Sequence, residues 1–228
     1  MFKQLEKLLP APLKVLALRF DRSPFLTVAD LQEFTQTRAS YVAQTSLYGY
    51  LKTRMGTRYR SLFEDDAFSH SARTSAAKIF GTCLSDLSIH SAALCRNDGG
   101  LNEFESSSLA SLLVSSGLEK GLAEFPDSKL KAEALGRLNQ RLAVLNWDKA
   151  GDNAITFASS ESDLVTFAPV VDEFKELDRE IVMNSIRFRW RDVREQLQKR
   201  LSPQSVAQDF RRDGAIKEMR SRNRMSFN

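Results

Sequence analysis

The stretch "SARTSAAKIFGTCLSDLSIHSAALC", from Ser71 to Cys95, decides the fold class of this chain. Five apolar side chains and one histidine recur in it at alternating steps of four and three residues, at Ala76, Phe80, Cys83, Leu87, His90 and Leu94. This spacing places all six on one face of a helix. The helix is expected to end in "RNDGG", which begins at Arg96, because paired glycines supply left-handed backbone conformations.

Helical patterns also occur on both sides of this stretch. Thr27 is a candidate N-cap with Asp30 three residues later, an imperfect capping box, and the helix that follows is predicted to run to about Met55. Gly56 is the predicted stop. Two more helices are predicted over residues 101–125 and 128–147.

The last long helix is predicted from Pro169 to about Leu201 and carries two apolar stripes. The first stripe consists of Phe174, Leu177, Ile181 and Phe188, and the second of Val182, Ile186, Trp190, Val193, Leu197 and Leu201. At roughly 100° per residue, the two stripes point well over 100° apart. We therefore expect a helix that lies between two partners, either inside the domain or at an interface.

Together these patterns predict an all-α protein, a multi-helix bundle of about six to eight helices. Residues 148–168 are rich in turn formers, so we expect an irregular loop or hinge there, with one short strand at 154–157. The predicted divisions are an N-terminal amphipathic segment (1–26), a single helical domain (27–201), and a basic C-terminal helix or tail (202–228) that starts at Ser202.

The composition is that of an ordinary globular protein, with 42% hydrophobic and 27% charged residues among 228. Its two cysteines, Cys83 and Cys95, form no disulfide framework and match no zinc-binding spacing, so we expect reduced, buried thiols in a cytoplasmic protein. Because no run of 18 apolar residues occurs, no transmembrane helix is expected.

The usual catalytic motifs are missing from the sequence. It contains no P-loop, no dinucleotide-binding glycine motif and no nucleophile elbow, and its two histidines exclude a histidine-rich metal site. Cys83 and His90 lie two helical turns apart, about 10 Å, which is too far for a nucleophile and its base. We therefore predict no catalytic residues, no cofactor and no metal, although an enzyme of unfamiliar type stays open.

A tyrosine-rich window, "SLYGYLKTRMGTRYRS" from Ser46 to Ser61, is the first candidate binding surface. No Asp or Glu occurs between Phe34 and Phe63. Aromatic rings interleaved with Arg anchor protein interfaces or stack on bases, whereas tyrosines packed inward are the alternative. The residues predicted to contact a partner here are Tyr48, Tyr50, Lys52, Arg54, Arg58 and Arg60.

The basic C-terminal region is the second candidate. Residues 187–224 hold twelve Lys or Arg against five Asp or Glu, a net charge of +7, whereas the whole chain is +4. Such a terminus binds acidic partners, nucleic acid or anionic lipid, or acts as a solubilising tail. The predicted contacts are Arg187, Arg191, Arg194, Arg211, Arg212, Arg220, Arg222 and Arg224.

The function predicted from these features is that of a non-enzymatic, adaptor-type helical protein that binds an acidic macromolecular partner, most simply an acidic protein. One alternative is nucleic-acid binding by the same surfaces, which predicts a steep dependence on salt. The other is peripheral attachment to an anionic membrane by the N-terminal amphipathic helix, whose Lys3, Lys7 and Lys14 would face the headgroups.

Overall fold

A computed structural model of the chain describes residues 23–123 and 128–212, which are mostly helical. The elements in chain order are α1 (Val28–Met55), a 3₁₀ turn (Gly56–Arg58), α2 (Tyr59–Leu62), α3 (Asp66–Gly99), α4 (Glu103–Gly121), α5 (Ser128–Val144), α6 (Asn153–Thr156), α7 (Ala158–Phe167), α8 (Asp172–Arg200) and α9 (203–212). Seven of these have ten residues or more, so the predicted all-α bundle is confirmed.

The ends of α1 follow the local sequence signals. The Thr27 hydroxyl accepts a hydrogen bond from the Asp30 amide at 3.2 Å, and the Asp30 carboxylate accepts one from the Thr27 amide at 2.9 Å. This reciprocal arrangement is the predicted capping box. The helix ends at Gly56, which has a φ of 53°, a value that favours glycine. Both predicted boundaries of this helix are confirmed.

α3 is the central helix of the bundle and packs against α1, α4, α5 and α7. Between residues 75 and 95 nearly every side chain is buried, including Cys83 and Cys95, whose predicted burial as free thiols is confirmed. α4 approaches closely because it presents glycine to α3: a Cβ on Gly117 would lie 2.6 Å from the Leu84 side chain. The helix with the most buried side chains therefore lies at the centre of the bundle.

The irregular segment predicted near residues 148–168 is present but shorter than predicted, and the short strand predicted at 154–157 is wrong. Residues 153–167 form α6 and α7, and the irregular part of this region is limited to residues 145–152. α7 buries Leu164 and Val165, and the Ser160 amide donates a hydrogen bond to the Asp86 carboxylate of α3 at 2.9 Å. Packing against neighbouring helices thus stabilises a segment whose own composition favours turns.

The two stripes of α8 have different environments. The stripe of Val182, Ile186, Trp190, Val193 and Leu197 is buried, as predicted, where α8 packs on α7 and α1. The other stripe, Phe174, Leu177, Ile181 and Phe188, is exposed. Within the described part of the chain, α8 is therefore covered on one side only, and the prediction of burial inside the domain on both sides is wrong.

The end of α8 returns to the start of α1. Phe25 and Leu201 form a parallel bridge, in which the Phe25 amide donates to the Arg200 carbonyl at 2.7 Å. The Val28 amide donates to the Asp209 carboxylate of α9 at 2.9 Å, which holds α9 against the first turn of α1. The amphipathic pattern of residues 1–22 and the basic tail beyond residue 212 lie outside the described residues.

Candidate interaction surface

The tyrosine window folds into the last turns of α1, the 3₁₀ turn and α2, and its rings meet the start of α3. Tyr48, Tyr59, Phe63 and Phe68, which we call the aromatic cluster, are all half-buried. The Phe63 ring is central, with its centroid 6.0 Å from that of Tyr48, 4.9 Å from Tyr59 and 5.1 Å from Phe68. Rings at these separations hold one another in place.

The two central tyrosines of the window point in different directions. Tyr48 belongs to the aromatic cluster, and burial together with Tyr59 raises its pKa to about 12, so its phenol is uncharged at neutral pH. Tyr50 belongs to the hydrophobic core, where burial and the Asp178 carboxylate raise its pKa to about 12. Its predicted role as a surface contact is corrected, because its side chain is not accessible to a partner.

The cations of the window lie close along the chain to Tyr48 and Tyr59 of the aromatic cluster. Lys52, Arg58 and Arg60, which we call the basic rim, are exposed, and Lys52 and Arg58 reach no carboxylate among the described residues. Arg54 is engaged differently. Its guanidinium lies 3.4 Å from the Asp178 carboxylate and 3.6 Å from the centroid of the Phe174 ring, so it ties the end of α1 to the start of α8. Arg54 therefore has a structural contact that its sequence position did not reveal.

The three arginines of α8 that were predicted as contacts are Arg187, Arg191 and Arg194, and two of them lie against α7 and its N-cap residue. Arg187 donates to the Glu161 carboxylate at 2.8 Å, and its pKa is raised by that hydrogen bond. Arg194 lies over the Phe157 ring, 5.4 Å from its centroid, where burial lowers its pKa. Arg191 is exposed and lies over the ring of Phe188 at 4.3 Å. The prediction that Arg187 and Arg194 are free cations on the surface is therefore corrected, because both contact other residues of the bundle.

The described part of the basic C-terminal region is also paired internally. Arg211 donates to both carboxylate oxygens of Glu105, at 2.7 and 2.9 Å, and this contact lowers the pKa of Glu105. Arg212 donates to Asp209 at 2.6 Å. The predicted contacts Arg220, Arg222 and Arg224 lie outside the described residues. In the described part, Arg211 therefore holds α9 to the start of α4, whereas the pair of Arg212 with Asp209 lies within α9 itself.

A buried polar cluster at the centre of α3 was not predicted from the sequence. The Asp86 carboxylate is fully buried, contacts the Arg141 guanidinium and accepts the Ser160 amide; burial raises its pKa and these two donors oppose the rise. Ser160 also accepts a hydrogen bond from the Trp190 indole at 3.0 Å. The sequence signal for this cluster was Asp86, an acidic residue in the middle of an apolar stretch. Cys83 lies one helical turn before it, and burial raises the pKa of the Cys83 thiol well above its usual range.

A cleft of about 650 Å³ opens beside this cluster, between α3, α5 and α7. Its cationic side chains are Arg137 and Arg141, and each faces a carboxylate: Arg137 lies 2.8 Å from Asp163, and Arg141 pairs with Asp86. Thr82 donates to Asp163 at 2.6 Å. The cleft therefore offers neutral hydrogen-bonding groups and balanced charges, but no free cation for an anionic ligand.

Residues 23–123 and 128–212 hold neither a candidate metal site nor a candidate membrane span. These ranges contain no group of three or more His, Cys, Asp or Glu side chains placed to hold a metal ion. They also contain no helix with the length and apolar character that a membrane span needs.

No protein-family model, curated protein or solved structure matches this chain. The candidate surface consists of an exposed basic rim and, close to it along the chain, a fixed aromatic cluster.

Proposed function

We propose that this protein is a non-enzymatic helical interaction protein that binds an acidic protein partner through the basic rim and the aromatic cluster. One observation carries the proposal: Lys52 and Arg58 are exposed next to half-buried rings, with no carboxylate of the described chain in reach. Of the other described cations predicted as contacts on α8 and α9, Arg187, Arg211 and Arg212 are already paired with carboxylates of the same chain.

The two parts of this surface suit different components of an interface. Partly exposed aromatic rings are common anchors because they bury a large area with few rotatable bonds. Tyr59 and Phe63 are already fixed by their contacts with each other, so little conformational freedom is lost when a partner covers them. The cations around them attract carboxylates, which raises the association rate and sets the orientation of the partner.

The proposal is tested by affinity purification from native lysate with two charge-reversed double variants of the full chain. Lys52→Glu with Arg58→Glu is expected to lose the acidic partner. Lys120→Glu with Lys149→Glu reverses the same number of exposed cations elsewhere on the surface and is expected to keep it. Circular dichroism checks that both variants keep the wild-type helical content. Identical partners for both variants would contradict the proposal.

Nucleic-acid binding is the alternative that uses the same cations. Arg54, Arg187 and Arg211 already contact carboxylates, so fewer side chains are available for phosphates than the sequence suggested. A gel-shift assay at low salt distinguishes a nucleic-acid partner from an acidic protein partner. Retardation of DNA or RNA that falls steeply with added salt would favour this alternative over an acidic protein.

Attachment to an anionic membrane stays a separate proposal, since it depends on the amphipathic pattern of residues 1–26. Flotation of the full chain with anionic liposomes, beside a Leu9→Glu, Leu13→Glu variant, tests it directly. Flotation of the wild type alone would support membrane attachment, and equal behaviour of the two proteins would end it.

A further inference from the structure

The outer stripe of α8 is the largest group of apolar side chains on one exposed helix face of the described chain. Phe174 is 40% exposed, Leu177 74%, Ile181 73% and Phe188 58%. At about 100° per residue, the four side chains fall within a sector of roughly 60°, on the side of α8 that faces away from the buried stripe. Contiguous exposed apolar side chains of this kind mark interaction sites.

The stripe has an internal symmetry. Ile181 lies midway along the helix between Phe174 and Phe188, seven residues from each. If two copies of α8 pack antiparallel about a two-fold axis at Ile181, Phe174 of each copy faces Phe188 of the other. The two Ile181 side chains then meet at the axis. A two-fold interface must be complementary to itself, and this stripe satisfies that condition.

The charges of α8 favour the antiparallel direction. Residues 172–180 hold five Asp or Glu against two Lys or Arg, a net charge of −3. Residues 182–190, which face them in the other copy in this register, hold two Arg and no Asp or Glu, a net charge of +2. An antiparallel pair brings the acidic part of each helix beside the basic part of the other, whereas a parallel pair sets like charges together.

One ion pair between copies follows from this arrangement. Glu173 and Arg191 lie on the same flank of the stripe, about 80° from Ile181, and both are exposed. They lie eight and ten residues from Ile181 along the chain. In the antiparallel pair Glu173 therefore comes within about 3 Å along the axis of Arg191 in the other copy. Glu173 has no ion pair among the described residues.

We propose that α8 is the interface of an antiparallel homodimer, formed by the outer stripe of each copy. The partner is a second copy of this chain, because the stripe and its charges complement themselves. This inference uses residues separate from the basic rim, so it stands or falls independently of the proposed acidic partner. Four apolar side chains per copy form a small interface, below about 1,200 Å², for which a Kd on the order of 10–100 μM is expected.

Sedimentation equilibrium of the full chain, over concentrations about tenfold below to tenfold above this Kd, tests the dimer. Ile181→Asp is expected to weaken association by at least about tenfold, because it places two carboxylates at the two-fold axis. Phe104→Asp is the matched control, since Phe104 is an apolar side chain of α4 that is 80% exposed. The control is expected to dimerise like the wild type.

A charge exchange tests the predicted ion pair. Glu173→Arg and Arg191→Glu are each expected to weaken the dimer by about threefold to tenfold, because each leaves like charges facing across the interface. The double variant restores the pair with its signs exchanged and is expected to return to within about twofold of the wild type. Additive losses in the double variant would contradict the assigned register.

Disulfide formation tests the direction of the helices. Phe174→Cys mixed with Phe188→Cys is expected to give a covalent dimer, and Ile181→Cys is expected to cross-link to itself. The native Cys83 and Cys95 are buried and do not compete.

Three results would overturn the proposal. The first is a chain that stays monomeric at every concentration. The second is an Ile181→Asp variant that associates like the wild type. The third is a monomeric wild type whose Leu9→Glu, Leu13→Glu variant dimerises, because residues 1–22 would then cover the stripe.

Discussion

Replacement of His90 by leucine is expected to remove a specific part of the acid sensitivity of this fold. His90 is 1% exposed in α3, its ring lies 5.3 Å from that of Phe157, and neither ring nitrogen has a hydrogen-bond partner among the described residues. Burial lowers the pKa of His90 to about 4, and the positive charge of Arg194 adds to this effect. The folded protein therefore resists protonation of this ring.

The sign and size of the effect follow from that pKa. In the unfolded chain the imidazole takes up its proton near pH 6.5, but in the folded chain it does so only near pH 4. Between these values the unfolded state binds more protons, so the free energy of unfolding decreases as the pH falls. The loss due to His90 is about 2–3 kcal/mol by pH 4.5 and reaches its full size of about 3 kcal/mol below pH 4.

Urea unfolding of the wild type and His90→Leu, at several pH values from about 7.5 to 4.5, measures this loss. Fluorescence of the buried Trp147 and Trp190 reports unfolding. At neutral pH the variant is expected to be more stable by about 1 kcal/mol, since two unpaired nitrogens are removed. The difference in the free energy of unfolding between the two proteins is expected to widen by about 2–3 kcal/mol at the acidic end, because the other titrating groups affect both proteins equally.

A variant of the exposed His70 on the same helix, His70→Leu, controls for the loss of a histidine. A buried imidazole with a lowered pKa requires the difference in the free energy of unfolding between the wild type and His90→Leu to grow as the pH falls. A difference that stayed constant within about 0.5 kcal/mol across this range would therefore contradict the lowered pKa of His90.

Two further stability changes follow from the packing around α3. Asp86→Ala leaves the Arg141 guanidinium without its buried carboxylate and is expected to lower the free energy of unfolding by about 3–5 kcal/mol in urea titrations at neutral pH. Gly99→Ala is expected to cost about 1–3 kcal/mol, because the added Cβ would lie 2.5 Å from the Pro203 carbonyl oxygen. Gly136→Ala is the control, because Gly136 lies in α5 with open space around it; it is expected to raise the free energy of unfolding by about 0.5–1 kcal/mol. Equal effects of Gly99→Ala and Gly136→Ala would contradict the close packing at Gly99.

The parts of the fold that depend on local chemistry could be predicted from the sequence. The capping box of Thr27 and Asp30 and the stop at Gly56 involve residues close in the chain, and the structure confirms both. The stripe in residues 76–94 predicted α3 for the same reason, since helical periodicity is a local property. The buried stripe of α8 was predicted in the same way.

α7 was missed because its support is not local. Its start at Phe157 has no side-chain cap, and its serines and acidic residues favour turns. Its stability comes from Leu164 and Val165 against the core and from the contact of Ser160 with Asp86, which is 74 residues away in the chain. The spacing of Phe157, Leu164, Val165 and Ala168 was the available signal, at steps that fit one helix face.

Only part of the candidate surface was predicted correctly, because its remaining contacts also depend on the tertiary fold. Tyr48 and Tyr50 are two residues apart, so on a helix they cannot share a face, and the structure buries Tyr50. The pairs of Arg187 with Glu161 and of Arg211 with Glu105 join residues 26 and 106 positions apart. Contacts over such distances depend on the tertiary fold, and a count of charges along the chain cannot reveal them.

The most direct test of the central claim is to locate the partner's contact on the surface by photo-cross-linking. A photo-reactive amino acid replaces Thr53, which is exposed beside Lys52, in the full chain and, as a control, Lys120 on α4, and each protein is irradiated in native lysate. The account predicts a cross-link to an acidic protein from position 53 and none to that protein from position 120. Equal cross-linking from both positions, or none from position 53, would contradict it.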